Sequence, residues 1–488
     1  MIGSMVLLFL CLLFFFVRTR RPKRFPPGPQ PLPIFGNLLQ LCLENPMRDL
    51  ERLRLRYGNV FSLYFGSRPA VILNGTKTIR EALVTKGTDF AGRPDELLLS
   101  HITQGKGVIM ANHGPSWRDH RRFALMTLRN FGLGKQSMED RILGEVEHVA
   151  AELEKSNGKP MNPQLLFHHA SCDIICSIMY GKRYEYDNHF FRAMIKMMAD
   201  CSKIANGAWG MIYDNLPLLR GLPLPFKKVM DDYSCVKRHV KSIVEEHRAT
   251  RIPKQPRDVI DSYLDQIDKM PKGSVFDEEQ LLATLLDLLF AGTDTTSNTI
   301  CFAMFYLTTH PEIQERCQRE IDQVFEEKER VSFEDKDRMP FMQAVIQESQ
   351  RFSSTLPLSV YHSTTRDTEL QGYQIPKGTL VIQNLSSVLY EEGQWKFPHE
   401  FNPDNFFNDQ GELQKLEAFM PFSIGPRMCL GEGLARMELF LVLVTLLRRF
   451  QFVWPEGAGV PDYTPVFGVT QAPKAFSMVV LPRESQRH

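Results

Sequence analysis

Helical periodicity dominates this chain, and strand signals gather in two short regions. The sequence therefore predicts a mainly α protein with a smaller β-rich region. Three observations carry that expectation. The segment Asp277–His310 is an apolar run with a capping acid at one end and His310-Pro311 at the other. It gives about thirty residues of helix, roughly 45–50 Å, enough to cross a whole domain. Residues 139–250 read mostly as amphipathic helix with polar connections. Strand and turn signals gather at residues 60–73 and 367–386, with a further strand turn at Val466–Thr470.

Size and composition bound the function classes. The chain has 488 residues, 43% hydrophobic and 24% charged, which is globular and excludes disorder. A net charge of +1 offers no bulk attraction for nucleic acid. The nine cysteines include no CxxC pair and no CxxCH. That excludes a zinc ribbon, a thioredoxin-type site and c-type haem attachment, and an odd count without a framework points to a reducing compartment.

Taken in order, Ile2–Val17 is sixteen residues without a charge. As a helix it would reach about 24 Å, short of a typical hydrocarbon core but suited to a thinner bilayer such as the endoplasmic reticulum. Arg18, Arg20, Arg21, Lys23 and Arg24 follow it. Under the positive-inside rule they stay cytosolic. The expectation is an uncleaved single-pass anchor (1–17) in the endoplasmic reticulum membrane, with the rest of the chain facing the cytosol. A cleaved signal peptide is the alternative, but no basic residue precedes the apolar run and no small-residue cleavage site follows it. Residues 18–33 join that basic stop-transfer segment to a proline-rich hinge, Phe25–Pro33, expected to act as a stiff spacer. Residues 34–488 then form the main domain.

Within it, Pro46–Tyr57 reads as a helix, Val60–Phe65 and Ala70–Leu73 as strands, and Asp95–Ser116 as a variable loop region. Ser116 is placed to cap a helix on which Trp117 and Arg121 share a face. Arg118, Arg122, Arg129 and Lys135 add a basic surface. Asn206–Pro225 is rich in Gly, Pro and apolar residues, as either a mobile lid touching a membrane or an ordinary buried loop would be. Asp277 with Gln280 has the spacing of a capping box. Inside the long helix, Gly292–Thr299 packs polar, poor helix formers into an apolar run. A local rule broken in the longest element marks function, although Ser and Thr can also bond their own helix carbonyls. Glu348 and Arg351 lie beside Phe341, Ala344, Val345 and Ile346, which points to a buried pair. Val466–Thr470 reads as a strand turn that tips toward the site.

The stretch Phe422–Gly431, FSIGPRMCLG, precedes an apolar-periodic helix. Cys429 therefore lies at or just before a helix N-terminus, where free N–H groups favour a thiolate. Phe422 is placed to cover one side of the sulfur. Gly425 would let the backbone approach something flat and large, and Arg427 offers a donor fork to a carboxylate.

These residues match Phe-x-x-Gly-x-Arg-x-Cys-x-Gly at every fixed position, Phe422, Gly425, Arg427, Cys429 and Gly431. The chain thereby resembles the cytochrome P450 family, most closely vertebrate microsomal family 2 members. Ala291-Gly-Thr-Asp-Thr-Thr296 resembles the family's oxygen-side helix motif, Glu348-Ser-Gln-Arg351 its Glu-x-x-Arg element, and Phe401–Phe406 its Phe-x-Pro-x-x-Phe element. Asn405 stands where a basic residue or histidine is usual, so an amide hydrogen bond would replace part of a salt-bridge triad. Pro426 likewise replaces a position that is often basic, which shifts any donor docking onto Arg118, Arg122 and Lys135.

The resemblance implies the cytochrome P450 fold, with haem b held between the long helix and the cysteine loop of a catalytic domain, residues 34–488. Cys429 would ligate the iron. Trp117, Arg121, Arg93, Arg427 and His362 would meet the haem carboxylates, and Ala291 and Gly292 would leave room above the ring. Thr295 would hold a water, and Asp294 would pass protons inward. Glu348 and Arg351 would be structural. Leu97, Ile109, Phe290, Leu356 and Phe467 would line a lipophilic substrate space. Asp287 would either select a cation or be a paired carboxylate at the pocket edge. The implied activity is monooxygenation of lipophilic small molecules such as xenobiotics, fatty acids or steroids, with O2 and electrons from NADPH. The implied partners are a flavoprotein reductase, cytochrome b5 and membrane lipid. A haem-thiolate isomerase or peroxide-rearranging enzyme and a non-catalytic haem-binding sensor are the alternatives. The intact Asp294–Thr295 pair argues against the first, and a sensor has no need of that pair or of a donor dock.

Overall fold

The computed structural model describes residues 21–131, 136–271, 273–326, 328 and 330–483. The expected anchor and Lys135 lie outside them. Among the described residues no helix is long and apolar enough to cross a membrane.

Helix α1 (Met47–Tyr57) leads into strands β1 (Val60–Phe65) and β2 (Arg68–Leu73). Helices α2 (Leu98–Thr103), α3 (Pro115–Asn130), α4 (Gln136–Glu154), α5 (Gln164–Met179), α6 (His189–Asn206), α7 (Ala208–Asn215), α8 (Pro225–Thr250) and α9 (Val259–Lys269) follow. Then come the long α10 (Glu278–Thr309), α11 (Pro311–Phe325) and α12 (Pro340–Ser353). Short strands β3 (His362–Ser363), β4 (Thr368–Leu370), β5 (Tyr373–Ile375) and β6 (Leu380–Gln383) precede α13 (Glu432–Arg449), and β7 (Phe450–Val453) pairs with β8 (Val479–Pro482). The mainly α architecture with a smaller β region is the one the periodicities predict.

The four-stranded sheet has order β1-β2-β6-β3, with β2 and β6 parallel and the other pairs antiparallel. Its period-two alternation feeds two cores. Val60, Val71, Leu73 and Val381 pack on one face. Phe61, Leu63, Ala70, Ile72, Leu380 and Ile382 pack on the other. The largest core surrounds α10 and joins α4, α5 and α13 to it. Helix α10 is 32 residues long; Asp277 caps it by accepting from the Gln280 N–H, and it ends at His310-Pro311.

Several local expectations change. Helix α3 starts at Pro115, with Gly114 rather than Ser116 at the cap. Proline's fixed φ suits the first helical position. The expected loop 95–116 contains α2. The Gln280 side chain does not close a reciprocal box but clamps Gly107, donating to its carbonyl at 3.0 Å and accepting from its N–H at 3.3 Å. Asn206–Pro225 is mostly α7 and a 3-10 turn, Pro217–Leu219, on the surface; Leu218 is 96% exposed. The proline-rich hinge is not a free spacer. Phe25 is buried, the Ser62 N–H donates to the Pro27 carbonyl at 2.7 Å, and the Ser62 hydroxyl donates to the Pro26 carbonyl at 2.7 Å. These bonds dock the stretch on β1.

Candidate active site

The cysteine loop closes through its backbone. The Cys429 N–H donates to the Phe422 carbonyl at 3.0 Å, and the Met428 N–H to the Gly425 carbonyl at 3.1 Å. Gly431 caps α13, so the sulfur lies just ahead of that helix as expected. The thiol opens onto an internal cavity of about 400 Å³, which Phe422 and Gly431 also line. Burial nevertheless raises the thiol's pKa, against the lowering pull of the Gly431 and Glu432 N–H groups and of Arg121. A metal cation bound at the sulfur would favour the thiolate.

Gly425 differs from expectation. At φ +80° its added Cβ would lie 1.9 Å from the Leu83 carbonyl oxygen. The glycine is required by the chain packed behind the loop, not by a flat group in the cavity, which it does not line.

Helix α10 forms the facing wall with Ala291, Gly292, Asp294 and Thr295. Ala291 leaves open space. A Cβ on Gly292 would meet Ile175 of α5 at 2.9 Å, so that glycine also serves a helix crossing. The Thr295 hydroxyl donates to the Ala291 carbonyl at 2.7 Å, and the Thr299 hydroxyl to the Thr295 carbonyl at 2.8 Å. These bonds satisfy the hydroxyl protons within the helix and leave the Thr295 oxygen as an acceptor toward the cavity. Asp294 is buried. It accepts from the Thr470 hydroxyl and from Asn298 Nδ2 (3.3 Å), and His168 Nε2 lies 3.7 Å from its Oδ1.

One end of the cavity is a cationic cluster. Buried Arg93 donates only to carbonyls: Ile109 (2.7 Å), Val360 (3.0 Å) and Tyr361 (2.8 Å). Buried Arg427 does likewise, to Ala91 (3.0 Å) and Ala111 (2.8 Å). Burial, and then Arg121, holds the Arg427 guanidinium down to about 9. Arg121 donates to the Met428 carbonyl. His362 Nδ1 donates to the Phe90 carbonyl at 2.7 Å; burial, Arg93 and Arg427 keep this imidazole well below its usual pKa. Trp117 does not reach the cavity. Its indole N–H is taken by the Val108 carbonyl at 3.0 Å, and its ring is the plate on which Arg427 stacks at 4.0 Å.

Leu97, Ile109, Phe290 and Leu356 line the apolar remainder. Asp287 is a paired carboxylate: its Oδ2 accepts from the Val108 (2.6 Å) and Ile109 (2.9 Å) N–H groups, and burial raises it to about 7. Phe467 packs instead against the sheet with Leu358 and Leu380, while Val469 and Thr470 of the same turn face the cavity. Glu348 and Arg351 are fully buried, joined at 2.7 and 2.8 Å, and Asn405 Nδ2 donates to Glu348 Oε1 at 3.2 Å. The amide substitution for the usual basic residue is thus realised. His168 and Ser202 enter the site without having been singled out, while Thr470 belongs to the turn expected to tip toward it. A histidine inside the apolar run of α5 was the one signal that could have found the first.

Two buried guanidiniums, Arg93 and Arg427, with half-buried Arg121 beside them and only the amide-bound Asp287 as a nearby carboxylate, call for an anion in the cavity. A planar group bearing carboxylates, with a metal that draws off the thiol proton, satisfies the cations and the sulfur together, so the residues fit haem.

Fold and site together define a haem-thiolate oxygenase. The chain belongs to the cytochrome P450 family, whose model, "Cytochrome P450", matches residues 26–480. It is 42% identical to cytochrome P450 2D15 of Canis lupus familiaris over 486 residues, 98% of this chain and 97% of that protein. It is 41% identical to cytochrome P450 2D3 of Rattus norvegicus (96% and 94% covered) and 40% to cytochrome P450 2B4 of Oryctolagus cuniculus (97% of each). The protein is accordingly a monooxygenase with haem b as cofactor, using O2 and a redox-partner reductase.

Proposed function

We propose that this protein is a membrane-anchored monooxygenase of the endoplasmic reticulum that oxidises lipophilic small molecules with electrons from NADPH through a flavoprotein reductase. The observation that carries this reading is a single apolar cavity with the Cys429 thiol on one wall and Asp294 with Thr295 on the other. Haem bound there supplies the dioxygen-activating chemistry. Cys429 would hold the iron, while Arg93, Arg121, Arg427 and His362 would hold the carboxylates. The Thr295 oxygen accepts a hydrogen bond from a water in the cavity, and Asp294 carries protons to it. The apolar walls exclude bulk water and orient a lipophilic substrate.

Behind the cysteine loop lies a surface groove of about 430 Å³ that includes Arg118, Arg122, Arg129, Met126 and Pro426. Its charge suits an acidic electron donor, the reductase or cytochrome b5. Residues 1–17 would anchor the chain. Ile34, Phe35, Leu39, Leu218 and Leu222 are exposed. That apolar surface suits contact with lipid.

The test is the reduced protein under carbon monoxide. Thiolate ligation gives a red-shifted Soret band, and Cys429→Ala removes it; a band of the histidine type in the unaltered protein refutes the reading. With reductase present, Thr295→Ala keeps haem but diverts NADPH into peroxide or water.

A further inference from the structure

Asp294 does not stand free at the cavity wall. On one side is His168 of α5. Its Nδ1–H is committed to the Gln164 carbonyl at 2.8 Å, so Nε2 can face the carboxylate of Asp294 favourably only by carrying a proton of its own. Burial alone would lower this imidazole, but Asp294 and Cys301 outweigh it and hold the pKa up to about 10. The groups facing the pair are Asp294 and Cys301 on α10, Cys201 on α6 and His169 on α5 itself. Asp294 is the one carboxylate among them. On the other side, Thr470 donates to Asp294 Oδ2, and Ser202 of α6 lies 3.0 Å from the Thr470 hydroxyl. Ser202 Oγ also accepts the Thr470 N–H at 3.1 Å, so the turn carrying Thr470 is stitched to α6.

We propose that His168 and Thr470 are positioning residues for the oxygenase reaction: Thr470 holds Asp294 between proton deliveries, and His168 reloads it. In the reloading step the His168 Nε2–H bond breaks and an Asp294 Oδ1–H bond forms. The pair passes from ionic to neutral, and no atom changes oxidation state. The neutral carboxyl is a weaker acceptor for Thr470, so it turns off that hydroxyl toward the cavity and gives up its proton there. His168, whose side chain is 15% accessible, regains a proton from water. This inference rests on the reading of Asp294 as proton carrier.

The experiment uses full-length haem-loaded protein with its reductase and no added substrate, and measures peroxide released per NADPH oxidised as a function of pH. His168→Gln raises the peroxide yield several-fold, increasingly so above neutral pH, while the unaltered protein stays level. Thr470→Val also raises it several-fold, and Thr470→Ser returns it to the unaltered level. A second readout needs no turnover. A histidine raised in the folded state stabilises below its unfolded value of about 6.5 and loses that contribution as pH rises through about 10. The unfolding midpoint of the resting protein therefore falls over that window, and His168→Gln removes this fall. If His168→Gln and Thr470→Val keep the unaltered peroxide yield while Asp294→Asn uncouples, this inference is overturned and the role of Asp294 survives. If Asp294→Asn changes nothing, the underlying reading fails instead. Should His168→Gln lose the red-shifted carbon monoxide band, the Val and Ser variants of Thr470 decide.

Discussion

Replacing Asn405 tests how an amide serves where the family usually has a base. Asn405 is 2% exposed. Its Oδ1 accepts the Phe397 N–H at 2.8 Å, and its Nδ2 donates to the Phe397 carbonyl at 3.1 Å and to Glu348 Oε1 at 3.2 Å. That oxygen keeps two other donors, Arg351 Nη2 and the Asn402 N–H, both at 2.8 Å. Asn405→Ala therefore weakens the ion pair without breaking it, and strands one N–H. One hydrogen bond to a charge and two neutral ones come to about 3 kcal/mol, roughly a hundredfold in the folding equilibrium. Asn405→Asp keeps the acceptor for Phe397 but sets a second carboxylate near Glu348. At 3.2 Å and an effective dielectric of about 20, like charges repel by about 5 kcal/mol. Burial already raises Glu348 against the pull of Arg351, so a shared proton relieves the clash and spreads the one remaining negative charge opposite Arg351 over two carboxyls. At neutral pH the stability order is then Asn, Ala, Asp, and the Asp deficit shrinks as pH falls. Denaturant unfolding followed by the carbon monoxide band measures this. An Asp variant at least as stable as Ala at pH 7, or an Ala cost under about 0.5 kcal/mol, refutes the assignment of Asn405 to the ion-pair network.

Gly425→Ala destabilises by on the order of 3 kcal/mol, because its Cβ meets the Leu83 carbonyl at positive φ; Gly431→Ala, whose Cβ meets no protein atom within 4 Å, leaves apoprotein unfolding nearly unchanged. Arg427→Met removes a guanidinium proposed to meet a haem carboxylate, and on that reading haem passes to excess apomyoglobin at least about tenfold faster. Glu438 lines the cavity with Oε1 unpartnered, and burial raises it to about 8. A raised carboxyl binds its proton more tightly when folded, so stability declines from the unfolded value of about 4.3 up through about 8. Glu438→Gln flattens that part of the unfolding profile and is the more stable protein at its alkaline end.

Much of this site is legible in the chain because its signals are local. The cap at Asp277 and the stop at His310-Pro311 bound α10 directly. Apolar neighbours mark Glu348 and Arg351 as buried, and the amide at position 405 reaches Glu348. What is not legible depends on partners distant in sequence. A glycine announces that a Cβ would be in the way, not of what: Gly425 serves Leu83, and Gly292 serves Ile175. Trp117 is spent on the nearby Val108 carbonyl, in an irregular stretch whose backbone course its sequence does not announce. Phe467 and Thr470 share one turn, and only the sheet beneath decides which of them faces the cavity.

The broken pattern inside α10 has a chemical consequence. Thr284, Thr295, Thr299 and Thr308 each donate to the carbonyl four residues back, at 2.8, 2.7, 2.8 and 2.6 Å. A hydroxyl that has given its proton to its own helix can only accept from the cavity. In the proposed reaction Thr295 would thus orient a water but could not itself originate a proton unless it surrendered the bond to Ala291. The proton has to come from a neighbour. Under the proposed function Asp294 would be that neighbour, and as a lone carboxylate in an apolar wall it would be costly. His168, Asn298 and Thr470 surround it and make it tolerable. The groups that stabilise this charge are therefore the same ones that govern when it can leave its place and deliver.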